Sequence, residues 1–441
     1  MERLAKQGIR FSQFYAMSVC SPTRVSIMTG QTSARHHTTQ FIKPESNNRG
    51  TFGPQWQWKG ISKKHITLPT LLKKAGYRTI HSGKAHFGPN DSFGEKPDNF
   101  GFDVNIAGCA YGQPGSYYGK ENFGHGKKGR SKRAVPGLEK YHGKDIHLTE
   151  ALTREINEAI TQSVKAKRPF FAYMAHYAVH SPFQPDPRFA ANYEKLPKGV
   201  NAKSKSARAF GTMIEGMDKS LGDMLDHLNK LGVAENTIVF FLGDNGTDAP
   251  LGSTHGIACA APLRGKKATH YEGGMRVPFI AAWAKPVHNN VFQQKFPIAR
   301  NQIISAMGAV YDLFPTVLAI AGADTENGHA IDGINLSAML TGKAKPRERE
   351  FLMHFPHQHR SSYFTSYRYG DWKVIYHYHR PEEKRYELFN LSKDRDESDN
   401  LATKQPDKLR ELLTAMIKSL ENTNAQYPLG KDGKPMKVIV P

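Results

Sequence analysis

Apolar residues recur along this chain in two alternating rhythms. Leu148, Leu152, Ile156, Ile160 and Val164 return every four residues and predict an amphipathic helix. Met213, Met217, Leu221, Met224, Leu225 and Leu228 trace a second helical stripe, closed by Gly232. A shorter helix is predicted over residues 68–75, with Thr67 as its cap and Gly76 as its stop. Each helix precedes a compact apolar run that reads as a strand: residues 77–80, residues 170–174 after Pro169, and residues 237–242. The third run is nearly continuous, as expected of a strand covered on both faces. An extended run, Ile9–Tyr15, comes earlier, Phe279–Trp283 reads as a later strand, and residues 312–321 as a helix with Pro315 in its first turn.

Three helix–strand units in succession predict an α/β fold: a mostly parallel or mixed central sheet sandwiched by helices. Beyond about residue 349 the pattern changes. Short runs at residues 351–357, 363–369, 372–376 and 386–389 predict a smaller antiparallel sheet. A last helix over residues 406–420 carries Leu409, Leu412, Leu413, Met416 and Leu420 on one side. The basic segment at residues 342–350 is the expected boundary, giving units of 1–345 and 346–441. Just past each strand of the first unit stand polar residues: Lys84 and His86, then His180, then Asp244 and Asn245. In open α/β sheets ligands bind at the carboxyl ends of strands, so these five are expected to converge. Two imidazoles, an ammonium, a carboxylate and an amide suit an anion held beside a metal.

Composition narrows the picture. The 441 residues are 39% hydrophobic and 23% charged, enough for one large core and a smaller unit. No apolar run reaches the length of a membrane span, and the first residues lack the apolar stretch of a secretory signal. Location therefore stays open, the periplasm or the exterior being the expectation for a longer form of the chain. Cys20, Cys109 and Cys259 make no disulfide framework. The formal net charge of +21 favours polyanionic partners. Much of it is local: Lys120, Lys127, Lys128, Arg130, Lys132, Arg133, Lys140 and Lys144 share one Gly-rich stretch, either a solvated loop or a strip for a polyanion. No zinc-finger, RRM or helix-turn-helix pattern accompanies them, which argues against nucleic acid.

The densest chemistry lies in Val19-Cys20-Ser21-Pro22-Thr23-Arg24, running on to Met28-Thr29-Gly30. Pro22 suits a first helical turn and Gly30 a helix end. A cysteine at that junction faces helix N-terminal N–H groups and Arg24, both of which favour an anion. Alone, Cys20 would read as a core residue. Cys-Ser-Pro-Thr-Arg followed by Met-Thr-Gly, however, resembles the sulfatase signature, and later segments agree in order: Gly83-Lys84-Ala85-His86, His180, Asp244-Asn245-Gly246 and Leu263-Arg264-Gly265-Lys266-Lys267 with Glu272-Gly273-Gly274. The resemblance covers nearly the whole chain, to Glu387-Leu388-Phe389-Asn390-Leu391.

By that resemblance Cys20 is oxidised to formylglycine by a formylglycine-generating or anaerobic sulfatase-maturating enzyme, and its hydrated aldehyde is the nucleophile. Arg24 holds that residue. Lys84, His180 and Lys267 (or its neighbour Lys266) bind sulfate, and His86 assists the second step. Asp244, Asn245 and the modified Cys20 bind calcium or magnesium, hard cations that prefer oxygen. A sulfated carbohydrate is the implied substrate, with His354 and His357 as candidates for the substrate mouth. The resemblance also carries a departure: sulfatases usually begin with an apolar strand ending in paired aspartates, whereas residues 1–8 here resemble the helix that follows it. Unpaired sheet edges and a depleted metal site are the expected consequences. Three readings follow: a sulfatase, a non-catalytic binder of sulfated glycans, and a related phosphatase or phosphonate hydrolase.

Overall fold

The computed structural model describes residues 1–40, 60–126, 131–194, 204–250, 260–325, 328–343, 348–358, 360 and 362–441. Helix α1 (Glu2–Gln7) leads into strand β1 (Ile9–Tyr15), and a short turn separates β1 from α2 (Cys20–Thr29). Next come α3 (Leu68–Lys74), β2 (Arg78–Gly83) and β3 (Val104–Ile106), then α4 (Leu148–Lys165) with β4 (Phe170–Ala175) and α5 (Lys205–Lys230) with β5 (Ile238–Leu242). Strands β6 (Arg276–Val277), β7 (Phe279–Trp283) and β8 (Gln302–Ala309) follow, and α6 (Leu313–Ala321) closes this part. Gly30 ends α2 in the left-handed conformation, φ 69°, its N–H on the Ser26 carbonyl, so the predicted stop has its usual cause. Thr67 sits at the start of α3 but does not cap it: its Oγ1 donates to the Phe100 carbonyl at 2.7 Å instead.

These elements build an α/β architecture with two sheets. Strands β3, β2 and β4 form a parallel sheet in that order. In the other, β5 pairs antiparallel with β7, while β1 lies between β6–β7 on one side, antiparallel, and β8 on the other, parallel. The stripes of α4 and α5 (Ile156, Ile160, Leu225 and Leu228) pack on one face with Phe170, Ala172, Val239 and Phe241. The opposite face holds Phe11, Phe14 and Phe279 with Val25 and Met28 of α2, and the rings of Phe14 and Phe279 stack at 4.0 Å. Each such buried ring contributes about 2 kcal/mol by its removal from water.

One expectation is only half met. The run through β5 was read as enclosed on both faces, yet all five of its residues, and the first five of β4, are only partly buried. Among the described residues no ladder joins β4 to β5, so each strand pairs on one side and opens on the other.

The carboxyl-terminal part is a four-stranded antiparallel meander, β9 (Glu350–Phe355), β10 (Phe364–Tyr369), β11 (Trp372–His377) and β12 (Tyr386–Asn390), followed by α7 (Pro406–Asn422). Leu409, Leu413 and Met416 of α7 cover one face through Val374 and Tyr376. The other face, with Phe351, Met353 and Phe355, packs on Tyr15, Met17 and Val19, just ahead of Cys20. The small sheet therefore backs the turn that presents position 20. Residues 344–347 of the expected boundary segment, and Lys127, Lys128, Arg130 and Cys259, lie outside the described residues. No described helix is long and apolar enough to cross a membrane.

Candidate active site

Cys20 is the first residue of α2, all ten of whose residues are buried. The preceding turn is fixed from within: the Met17 N–H donates to Thr23 Oγ1 at 3.0 Å, and the Ala268 N–H to the Ser18 carbonyl at 2.7 Å. Lys84 follows β2 directly and continues the ladder, its N–H on the Ala175 carbonyl at 2.7 Å. Gly83 makes that approach possible, since with φ +99° an added Cβ would lie 2.1 Å from the Ala175 oxygen. His86 comes two residues later, and its Nδ1 lies 3.3 Å from Cys20 Sγ. The Gly-rich loop is tied down by the Lys267 N–H on the Thr247 carbonyl at 2.9 Å and the Gly246 N–H on the Gly274 carbonyl, also at 2.9 Å.

The strand ends thus converge. Arg24 Nη2 and Nε contact one Asp244 oxygen at 2.9 and 3.1 Å, and Arg24 Nη1 donates to the Lys84 carbonyl. Lys84 Nζ stands 3.9 Å from the same carboxylate oxygen. Arg24, Lys84, His180, Asp244, Asn245 and Lys267 line a shared cavity, and Cys20 and His86 are buried, 2% exposed each. Of the adjacent lysines, Lys267 faces the cavity and Lys266 does not line it. Arg24 thus holds Asp244 and the Lys84 backbone.

The electrostatics follow from burial and crowding. Burial would push the Cys20 thiol up, but Lys84, His86 and Lys267 outweigh it and hold it well below the usual cysteine range. Burial lowers Lys84 to about 8, with Cys20 and Asp244 opposing the shift. His180 is driven well below the usual imidazole range by burial, then by Lys267 and Lys84. Asp244 is held low despite burial because Arg24, Lys84 and Lys267 surround it. The pocket stabilises negative charge at position 20 and keeps His180 neutral.

Two cavity residues escaped the sequence reading. Tyr173 and His176 line the wall. His176 Nδ1 is buried without a hydrogen-bond partner, and burial lowers the ring to about 4. Its place immediately after β4 was the available signal. His354 and His357 are corrected: both are buried and line no part of the cavity. His354, on the edge strand β9, bridges Thr365 and the Gln426 carbonyl, and His357, just past that strand, meets Thr39, so both rings are turned into the packing around the sheet. In the basic stretch, Lys120 pairs with Asp145 and Lys140 with Glu155.

A divalent cation finds only part of its shell here. Asn245 Oδ1 is a buried acceptor with no hydrogen-bond partner, as an oxygen ligand would be without its cation. One Asp244 oxygen, however, is taken by Arg24. One carboxylate and one amide fall far short of the six or more oxygens such ions require. The described residues do not by themselves hold calcium or magnesium.

The architecture with this cationic pocket at the strand ends is the alkaline-phosphatase-like fold. The Sulfatase family model matches residues 1–323, and the model for the carboxyl-terminal part of N-sulphoglucosamine sulphohydrolase matches residues 266–426. The chain belongs to the sulfatase family, whose members typically use formylglycine and calcium. It is 30% identical over 366 residues to N-acetylgalactosamine-6-sulfatase of Mus musculus, covering 79% of this chain and 62% of that protein. A sulfatase of Formosa agariphila is 28% identical over 464 residues, covering 92% and 79%. The crystal structure of Ps i-CgsB in complex with k-i-k-neocarrahexaose superposes with a TM-score of 0.74 at 24% identity, covering 96% of this chain and 87% of that one. The chain thus spans about three fifths of the length of the N-acetylgalactosamine-6-sulfatases it matches.

Proposed function

We propose that the chain is a sulfuric ester hydrolase that removes sulfate from a sulfated carbohydrate, with a formylglycine at position 20 as nucleophile. The observation that carries this reading is the buried Cys20 at a helix N-terminus, with His86 Nδ1 3.3 Å from its Sγ and the Lys84 and Lys267 charges favouring an anion there. A sulfate monoester is an anion with a poor leaving group, and splitting its hydrolysis into two steps lowers each barrier. One hydroxyl of the hydrated aldehyde attacks sulfur, and the sulfur–oxygen bond to the sugar breaks. Lys84 and Lys267 neutralise the sulfuryl oxygens from fixed positions. His180, whose neutral ring still carries one N–H, or Lys267 supplies the proton for the departing alcohol. His86 then takes the proton of the second hydroxyl, the carbonyl re-forms, and sulfate leaves as the carbon–oxygen bond breaks. Since α2 is wholly buried, the maturing enzyme must meet Cys20 before the chain folds. A resident cation would add charge neutralisation beside Asn245, but no step rests on it here.

The carbohydrate substrate is supported by the names of the relatives, N-acetylgalactosamine-6-sulfatases among them, and by the net charge of +21. A second reading, binding of sulfated glycans without turnover, draws on the shortage of oxygen donors around Asp244. Coexpression with a maturing enzyme, mass spectrometry of the tryptic peptide carrying residue 20, and release of inorganic sulfate from sulfated oligosaccharides separate the two. Aldehyde formation with sulfate release supports the hydrolase. Aldehyde formation with binding but no release supports the binder. Faster turnover of matched phosphate or phosphonate esters would instead place the chain among the related hydrolases.

A further inference from the structure

Behind the turn that presents position 20 lies a second convergence of side chains, none of which lines the catalytic cavity. His377 ends β11 and Glu387 belongs to β12. The His377 N–H is bonded to the Arg385 carbonyl and Ile375 faces Glu387 in the ladder, so His377 and Glu387 are diagonal neighbours on one face of the small sheet. It is the face with Phe364, Ile375 and Phe389, which packs towards Val19. His270 reaches the same spot from the Gly-rich loop, three residues after Lys267. All three are shielded: His270 is 5% exposed, His377 1% and the Glu387 side chain 13%. Glu387 Oε1 lies 2.6 Å from His377 Nε2 and 3.7 Å from His270 Nε2. One donor atom from each residue falls within 4.8 Å of the other two.

Two imidazoles aimed at one carboxylate oxygen exceed what a buried ion pair needs, since the His377 ring already satisfies it. The carboxylate is also oriented from behind, its other oxygen accepting the Tyr271 hydroxyl at 3.0 Å. Carboxylates that ligate metals are steadied by hydrogen bonds of this kind. We infer that His270, His377 and Glu387 form a zinc site, the metal taking the place of the proton between His377 and Glu387, with water as fourth ligand. The donor set decides the class of ion. Two nitrogens and one oxygen suit zinc or a neighbouring transition metal, whereas calcium and magnesium want oxygen throughout. Ligand atoms around tetrahedral zinc sit about 3.4 Å apart, so the His377 contact opens and the wider contacts close by about an ångström. The cations nearby do not bar the ion: Lys373 is matched by Glu272 and Glu397, Arg264 lies on the Tyr271 ring, and half-exposed Arg380 turns to water. Bound zinc would tie the loop that carries Lys267 to the carboxyl-terminal sheet, and the inference stands whether or not position 20 carries an aldehyde.

The test uses the full chain, stripped with a chelator and titrated with zinc chloride. Calorimetry should show saturable binding with a dissociation constant of about a micromolar or below, undisturbed by excess calcium. Zinc should also raise the urea midpoint, because it binds the folded state, and slow amide exchange in residues 269–275, β11 and β12. His270→Gln and His377→Gln should each weaken binding by about tenfold or more, the usual minimum for losing even an outer-shell partner. Cys20→Ala should leave it intact, which separates this site from the thiol and imidazole at position 20. Should the histidine variants misfold, cobalt in the parent chain decides: a four-coordinate visible spectrum without a thiolate band is expected. Absence of zinc binding would overturn the inference and leave a buried ion pair. So would equal binding by His377→Gln, loss of binding in Cys20→Ala, or a thiolate band with cobalt.

Discussion

Lys84 is the side chain on which the account makes its sharpest demand. Its ammonium is 3% exposed and pinned between Asp244 and position 20, and burial lowers its pKa from 10.5 to about 8. That depression corresponds to about 3 kcal/mol of cost for keeping the charge in the fold at neutral pH. The unfolded chain binds the proton more tightly, so this cost is present below about pH 8 and disappears as pH rises towards 10.5. Oxidation of Cys20 to a neutral aldehyde hydrate removes one of the anions that support the ammonium, and the matured protein should titrate at or below 8. The Lys84→Met variant should therefore be at least as stable as the parent at pH 7 in urea unfolding. It should also lose about a hundred- to thousandfold in kcat for sulfate release, the usual cost of one preorganised charge partner. In the parent, kcat/KM should fall with unit slope above about pH 8. A flat profile to pH 10, or a Lys84→Met variant within a few-fold of the parent, would refute the claim that this ammonium clamps the sulfuryl group.

Acid should destabilise the fold through its neutral buried imidazoles. His147, His176 and His354 are lowered to about 4, and His81 and His357 to about 3, so stability is whole above pH 6.5 and falls as the unfolded chain takes up protons below it. Urea midpoints at about pH 7.5 and pH 5 should differ clearly, and His354→Gln should flatten that dependence; coincident midpoints would contradict the burial of these rings. Lys373 lies between Glu272 at 3.1 Å and Glu397 at 2.7 Å, with all three side chains at most 1% exposed. Lys373→Met removes the cation that these two carboxylates share, leaving the Glu397 carboxylate with the Glu272 N–H as its donor among the described residues, and should cost about 3–5 kcal/mol in urea unfolding, whereas a loss under about 1 kcal/mol would mean water reaches the cluster.

How far the sequence reaches depends on the range of the interaction. The helix–strand units and the turn into α2 were legible because four-residue and continuous apolar patterns are local. So was the convergence of Lys84, His86, His180 and Asp244, since strand ends in one α/β layer share a rim. The clasp of Arg24 on Asp244 was not, because 220 positions separate them and no local pattern encodes the pair. Periodicity reports which faces are covered and says nothing of edges, so the run through β5 reads alike whether its second edge is paired or open. His354 and His357 illustrate the same limit. A histidine in a strand looks the same from sequence at a rim or inside, and here the groups packed on the edge strand β9, Thr365 and the Gln426 carbonyl, decide. The choice between Lys266 and Lys267 also needed tertiary contact, the Lys267 N–H on Thr247 turning that side chain towards the cavity.

The central claim is that residue 20 itself carries the sulfuryl group. Rapid quenching of a matured His86→Ala variant with a sulfated oligosaccharide, followed by peptide mass spectrometry, addresses it directly. The account predicts one sulfuryl group accumulating on the peptide that contains residue 20, because the base that expels sulfate has been removed. Turnover continuing at the parental rate, or sulfuryl found only on another peptide, would contradict it.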